Sequence, residues 1–326
     1  GTPGTVVGRP CFVPEPPRGG PGGSGKGVQV MNRRLKGGYM DRFYHPLFIA
    51  PGLIIFFIFF ILPVVFGFGF SFTDWNQYLT EINFIGLKNF QEIFEDRVSM
   101  LALKNTLIFA SVTTVGKNVL GLGLALILNT KLRGRTVWRA IYFCPAILST
   151  IVVGLVFSAV LHPTGLLNDA LTFVGLESLT RSWLTDKDIV MFTISAVEIW
   201  MYAGFHMAIY LAGLQSIPYD LLEAARIDGA SPWQQFRYII FPLIIPSFNI
   251  NLIMSLIGGF KVFDMVYVLT NGGPGFASQV VSTMVYEAFG EGRWGYGTAL
   301  NLVLYVIISF ISLVVLNFFR KREVEY

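Results

Sequence analysis

Residues 47–70 read LFIAPGLIIFFIFFILPVVFGFGF, an unbroken apolar run without one charged side chain. A bilayer's hydrocarbon core needs about 20 such residues in a helix. Strands of a membrane barrel would instead be about ten residues of alternating polarity. The run therefore reads as a membrane-crossing helix, which Pro51 and Pro63 should bend. Five more stretches qualify, at about 104–129, 138–161, 190–214, 243–270 and 296–319, so with the first (about 46–72) the expected fold is an all-α integral membrane protein with six transmembrane helices. Composition agrees. The 326 residues are 53% hydrophobic and only 13% charged, against about 25% charged in a soluble domain.

Orientation follows from lysine and arginine in short loops. Arg33, Arg34, Lys36 and Arg42 precede the first span, Lys131, Arg133, Arg135 and Arg139 separate the second from the third, and Arg320, Lys321 and Arg322 follow the sixth. The alternate loops, about 73–103 and 162–189, carry more acids than bases. Both termini are expected in the cytoplasm. The net charge of +4 is small and scattered between apolar runs, which argues against a nucleic-acid partner. Cys11 and Cys144 imply no disulfide framework, and His45, His162 and His206 are too far apart to suggest a metal site. A membrane-embedded enzyme would need a metal or nucleophile constellation that the sequence lacks.

The N-terminal segment GGPGGSGKGVQVM (19–31) contains Gly20, four residues and Gly25–Lys26, nearly a phosphate-binding loop. The hydroxyl that should follow the lysine is replaced by Gly27, and Pro-rich sequence stands where a strand should precede. We read residues 1–30 as a disordered Gly/Pro-rich tail, expected to be translated leader or a gene-model artefact upstream of a native start at Met31. Residues 31–45 form a basic cytoplasmic segment, and 46–320 a single transmembrane domain.

The loop between the fourth and fifth spans is the informative one: QSIPYDLLEAARIDGASPWQQFRYIIFPLIIPS, residues 215–247. Its local chemistry describes two short helices joined by a tight corner. Ser216 can cap the first, Pro218 sits near its first turn, and Asp220 and Glu223 suit its N-terminal end. Gly229 suits a left-handed terminating position. Ser231, Pro232 and Gln234 then form the start of a second helix with a capping box. Ala224 and Ala225 leave a smooth surface, with Trp233 and Phe236 as aromatic knobs. From the residues alone, a docking element and an ordinary interfacial loop are both open readings.

The spelling EAARIDGASPWQQFRYIIFP (223–242) resembles the EAA signature of permease subunits of bacterial ABC importers, in particular the carbohydrate-uptake branch. SFTDWN (71–76), FIGLKNF (84–90) and LTNGGP (269–274) resemble the same branch, and more closely the first, maltose-transporter-like permease of its pairs. The resemblance covers about residues 40–322. It implies a multi-pass protein of the bacterial cell membrane, with no catalytic residues of its own, that forms a sugar pathway with a second permease. It also implies two separate ATPase subunits that hold ATP and Mg, so this chain binds no cofactor, and an extracytoplasmic sugar-binding protein. The EAA loop would dock on the ATPase, with Glu223, Ala224, Ala225, Asp228, Gly229, Trp233 and Phe236 carrying the coupling.

Polar residues at membrane depth usually face a cavity or each other. Span 5 offers Asn249, Asn251, Ser255, Gly258, Gly259, Lys261 and Asp264. The last two stand three apart, as if on one helix face where they would simply pair. Trp200, Tyr202, Glu198 and His206 lie in span 4, Thr298 and Asn301 in span 6, and Lys117 in span 2. The candidate carbohydrate pathway is Trp200, Tyr202, Asn251, Ser255, Gly258, Gly259, Lys261, Asp264 and Asn301. The competing reading is an ion-coupled secondary transporter of a small polar solute, with Lys117, Glu198 and Asp264 as relay groups. It would call for inverted internal repeats, and no clear repeat is present.

Overall fold

A computed structural model describes residues 49–78, 81–130 and 132–320. The tail at 1–30, Met31, the basic segment 31–45, Lys131, Lys321 and Arg322 lie outside the described residues. The chain divides into two compact units, at Leu62 and Pro63. Helix α1 (Ala50–Phe70) runs through that division. Its wide π-turn, Phe57–Ile61, stands just before Pro63. A proline has no N–H for the carbonyl four residues back and its ring crowds that carbonyl. Widening the preceding turn relieves the clash.

In the second unit, α2 (Lys88–Glu95) leads into the long α3 (Arg97–Leu128). The chain continues through α4 (Arg135–Phe143), a tight 3-10 turn at Cys144–Ile147, α5 (Thr150–Val160) and α6 (Leu166–Phe173). The central α7 (Val190–Gln215) follows, then α8 (Tyr219–Ile227) and α9 (Pro232–Leu243). The last helices are α10 (Ile245–Phe260), α11 (Asp264–Thr270), α12 (Val281–Gly290) and α13 (Trp294–Arg320). Among the described residues no strand forms, only an isolated bridge between Thr73 and Phe84.

Four helices are long and apolar enough to cross a membrane: α1, α3, α7 and α13. Two bent pairs, α4–α5 at 96° and α9–α10 at 69°, raise the number to six if each pair is one crossing. Two expected spans therefore differ from continuous helices. The stretch 138–161 is broken at Cys144–Leu148, where Pro145 interrupts the hydrogen-bond ladder and Leu148 is extended (ψ 152°). The stretch 243–270 ends its helix at Phe260 and resumes only at Asp264. Gly258 and Gly259 weaken the helix before that break. Lys261 and Asp264 thus belong to no common helix face, and they form no ion pair with each other among the described residues.

The core is assembled on α3. One apolar cluster joins Phe109 to Val197 and Met201 of α7 and Met265 and Val266 of α11. A second joins Ala102, Leu103 and Ala110 to α12 and to Leu300 and Leu304 of α13. A third joins Ala125 and Leu128 to Tyr210 and Leu214 of α7. Glycines set how close the helices come. A Cβ at Gly121 of α3 would stand 2.8 Å from the Cβ of His206, and one at Gly259 of α10 would stand 2.8 Å from the Cα of Ala110. At Gly204 of α7 it would run into the carbonyl of Tyr142, beside the α4–α5 break.

At about 1.5 Å per residue α3 exceeds the hydrocarbon thickness, and its N-terminus is capped by Asp96. The carboxylate accepts from the backbone N–H of Val98 (3.3 Å) and Ser99 (2.8 Å) and from the Ser99 hydroxyl (2.6 Å). Tyr296 of α13 donates to the same serine at 2.8 Å. The Ser99 hydroxyl, helped by these N–H groups, holds the Asp96 carboxyl below its usual value against the opposing effect of burial. A lowered folded pKa stabilises above the unfolded value, about 3.9, and the gain is lost as pH falls through the folded value. Thermal melts of wild type and Asp96→Asn should therefore differ at neutral pH and begin to converge only as pH falls below about 4.

Candidate functional site

α7, α10, α11 and the two helix breaks surround a cavity of about 400 Å3. Lys117 of α3 and Glu198, Tyr202, Phe205 and His206 of α7 form one side. Ala146 and Thr150 come from the α4–α5 break, Met254 and Gly258 from α10, and Lys261, Val262, Phe263, Asp264 and Met265 from the second break and α11.

Lys117 and Glu198 are 3% and 6% exposed. Their ammonium and carboxylate meet at 2.9 Å, and the ammonium lies 4.9 Å from the centre of the Tyr202 ring. Removing one member of such a pair strands a buried charge, so each fixes the other. His206 is set by Asn251. The Asn251 amide N–H donates to the His206 backbone carbonyl (3.3 Å), which turns the amide oxygen toward Nδ1 at 2.7 Å. Nδ1 is then the donor, and in the neutral ring Nε2 is left as an acceptor. The rings of Tyr202, Phe205 and Phe263, hydroxyls at Thr150 and Tyr202, and four charged groups in one hollow suit a hydroxyl-rich polar solute. Among the described residues no His/Cys/Asp/Glu cluster could hold a metal.

Of the pathway residues expected from sequence, Tyr202, Gly258, Lys261 and Asp264 line this cavity. Gly258 presents open space, with nothing within 4 Å of a Cβ built there, whereas its neighbour Gly259 is a helix contact on Ala110. Asn251 is spent on His206, and Ser255 accepts from Asn118 of α3 at 2.9 Å. Trp200 lies outside, its ring against Phe157, and Asn301 is exposed on α13. Thr150, Phe205 and Phe263 line the cavity without having stood out in the sequence. The breaks bring Thr150 and Phe263 inward, Phe205 comes from the unbroken α7, and no local signal marks any of the three.

The 215–247 loop forms a capped elbow. The α8 C-terminus closes with Gly229 at φ +78°, the Gly229 N–H bonded to Arg226 O (3.1 Å) and the Ala230 N–H to Ala225 O (2.9 Å). These are the two bonds of a Schellman motif. Ser231 and Gln234 then make the reciprocal capping box of α9. Ser216 does not cap α8. It ends α7, its hydroxyl donating to Gly213 O at 2.8 Å, and Pro218 stands at the α8 N-cap. A wide turn at Phe236–Ile240 precedes Pro242, as at Pro63. Glu223, Ala224, Asp228, Gly229 and Trp233 are exposed, Ala225 is buried, and Phe236 is half-buried with its ring 5.6 Å from that of Trp233. Ile227, 81% exposed, belongs to the same surface.

Residues 117–324 match the family described as binding-protein-dependent transport system inner membrane component. The chain belongs to that family. It is 38% identical to "Probable ABC transporter permease protein YurN" of Bacillus subtilis (strain 168), over 86% of this chain and 97% of the relative. Against the trehalose/maltose transport system permease protein MalF of Thermococcus litoralis the identity is 35%, over 85% and 94%. The fold resembles a chain of a bacterial ABC transporter involved in the import of the acidic polysaccharide alginate, with a TM-score of 0.73 and 26% identity over 84% of this chain and 94% of that one. The protein is a multi-pass inner-membrane transport component, as its apolar helices require.

The ion pair at the cavity wall of this permease is testable on its own. Lys117→Met or Glu198→Leu alone should cost about 3–5 kcal/mol, while the double substitution should return close to wild type. Thermal unfolding of the detergent-solubilised protein reads this, and simply additive losses would contradict the pairing.

Proposed function

We propose that this chain is the transmembrane permease subunit of an ATP-driven carbohydrate importer. It would form the translocation pathway with a second permease, receive sugar from an extracytoplasmic binding protein, and couple to two ATPase subunits that hold ATP and Mg. The bent pairs α4–α5 and α9–α10 each count as one crossing in this reading, giving six spans with both termini in the cytoplasm. The observation that carries it is the exposed α8–α9 elbow on a chain of a binding-protein-dependent transport family. A rigid corner with Glu223, Ala224, Asp228 and Trp233 facing outward is suited to seat in a groove of a soluble partner. Of the three relay groups in the ion-coupled alternative, Lys117 and Glu198 are paired with each other at 2.9 Å, which supports the importer reading over it.

The cavity chemistry supports an uncharged saccharide. Its charged groups are two lysines, Lys117 and Lys261, and two acids, Glu198 and Asp264, so neither sign is in excess. Aromatic and hydroxyl groups then supply the recognition. In this the chain departs from the alginate importer it resembles, whose substrate is acidic.

Two substitutions separate coupling from passage in the transporter assembled with its partner subunits. At Gly229 no neighbour lies within 4 Å of a Cβ, but φ is +78°, a conformation that costs an L-residue about 1–2 kcal/mol. Gly229→Leu should leave the protein in the membrane and abolish uptake, with ATP hydrolysis no longer responding to the binding protein. Normal uptake by a well-expressed variant would refute the coupling role. Gly258→Phe should fill the cavity and block uptake while leaving the ATPase subunits bound, as co-purification would report.

A further inference from the structure

SFTDWN (71–76) and FIGLKNF (84–90) supply no residue to the central cavity. They come together with the turn between α12 and α13 around a hollow of about 240 Å3. That is the liquid volume of about eight waters, room for one sugar ring. Three backbone bonds hold the frame: the Ile85 N–H to Phe72 O (2.9 Å), the Asp74 N–H to Asn83 O (3.1 Å) and the Gly295 N–H to Trp75 O (2.8 Å). The Trp75 ring is gripped by those of Phe70 and Trp294, 4.2 and 4.9 Å away between centroids. Tyr296, another wall residue, bonds Ser99 in the first turn of α3. Lys117 of the central cavity stands 18 residues further along α3, about 27 Å in a helix rising 1.5 Å per residue. The two hollows are separate.

The groups this hollow leaves unsatisfied describe its ligand. Asn89 is 6% exposed. Its amide N–H groups donate to the carbonyls of Ser71 and Thr73, both at 2.9 Å, which fixes the orientation of the amide. Its oxygen accepts no hydrogen bond among the described residues. Asp74 and Lys88 line the same hollow. The Asn83 backbone N–H, then the Asn83 side-chain amide, hold the Asp74 carboxyl below its usual value, and the Lys88 charge adds to this. Yet Asp74 and Lys88 close into no ion pair among the described residues, whereas Glu92 and Arg293 do. An ammonium only donates, and a carboxylate or an amide oxygen only accepts. Neighbouring hydroxyls of one sugar ring both donate and accept, so a single ring can serve all three groups. A simple anion or cation would meet one charge and be repelled by the other.

We propose that this hollow is a second carbohydrate site at the extracytoplasmic end of α3, holding one sugar ring among Asp74, Lys88 and Asn89 beside Trp75. Its side of the membrane and its ligand class rest on the importer reading above. A saccharide arriving from outside meets this site before the central cavity.

The test is saturation-transfer NMR on the transporter purified through this chain, with the subunits that accompany it, in phosphatidylcholine nanodiscs. Gly258→Phe is present throughout, so that the central cavity is filled. The probes are the methyl glycosides of glucose, galactose, mannose, xylose and arabinose, with glycine betaine as the zwitterionic control. At least one glycoside should show saturable transfer. Its Kd should rise about tenfold in Lys88→Met, the loss expected for one hydrogen bond to a charged group. Lys88 is exposed, so this substitution spares the fold. Transfer to none of the glycosides, transfer that Lys88→Met leaves unchanged, or transfer to glycine betaine alone would each overturn the site. The readout is binding and needs neither ATP nor uptake. Failure of the importer reading would show separately, as the absence of ATPase subunits from the purified material.

Discussion

The close seam between α3 and α7 is the contact on which the rest of the structure depends. In lipid, burying apolar side chains against other helices gains little, because the acyl chains are as apolar as leucine. Association then rests on dispersion at close approach and on hydrogen bonds between helices. Gly121 permits the approach to His206. The Lys117–Glu198 pair, and the Tyr210 hydroxyl donating to Asn118 at 2.5 Å, fix register and rotation. Asn118 also donates to Ser255 at 2.9 Å, which brings α10 to the same seam. The ion pair is better read as a device for register than as net stabilisation, since the cost of dehydrating both charges offsets much of their attraction.

With that seam set, the helix breaks find their place. Backbone with unpaired N–H and C=O groups is tolerated at membrane depth only where protein covers it or water reaches it. Both breaks meet this condition on the cavity. Ala146 comes from one and Lys261, Val262 and Phe263 from the other. The cavity is thus a consequence of the interrupted helices as much as their purpose. The same interruptions turn Thr150 and Phe263 toward the solute-sized space.

What could be read in the sequence was whatever is decided locally. The apolar run at 47–70 announced a membrane helix because length and composition suffice. The corner at Gly229 and the Ser231–Gln234 box were legible because caps are chosen by chemistry a few residues away. Ser216 misled for the same reason, since a serine between two helices suits either end and the end of α7 took it. Gly258 and Gly259 are indistinguishable in sequence, yet one opens on the cavity and the other lies against Ala110. Asn251 and Ser255 looked like pathway groups, but packing of α10 on α7 and α3 turned them to His206 and Asn118. Which polar residue lines the cavity and which bonds to a neighbouring helix is decided by tertiary contact alone.

The two sites share their supports. α7 carries Glu198, Tyr202 and His206 at the cavity and ends at Gln215, four residues before α8 begins. From His206 to Gln215 is about 13 Å along a helix rising 1.5 Å per residue. α10 carries Gly258 at the cavity and leads back through its 69° bend to α9 and the elbow. A Cβ at Gly213 would run into the Ser247 side chain, so α7 and α10 are clamped close to the elbow as well as beside the cavity, where His206 meets Asn251. In the coupling proposed above, these two clamped helices are the route by which a force applied to the elbow would reach the Glu198, Tyr202 and Gly258 wall.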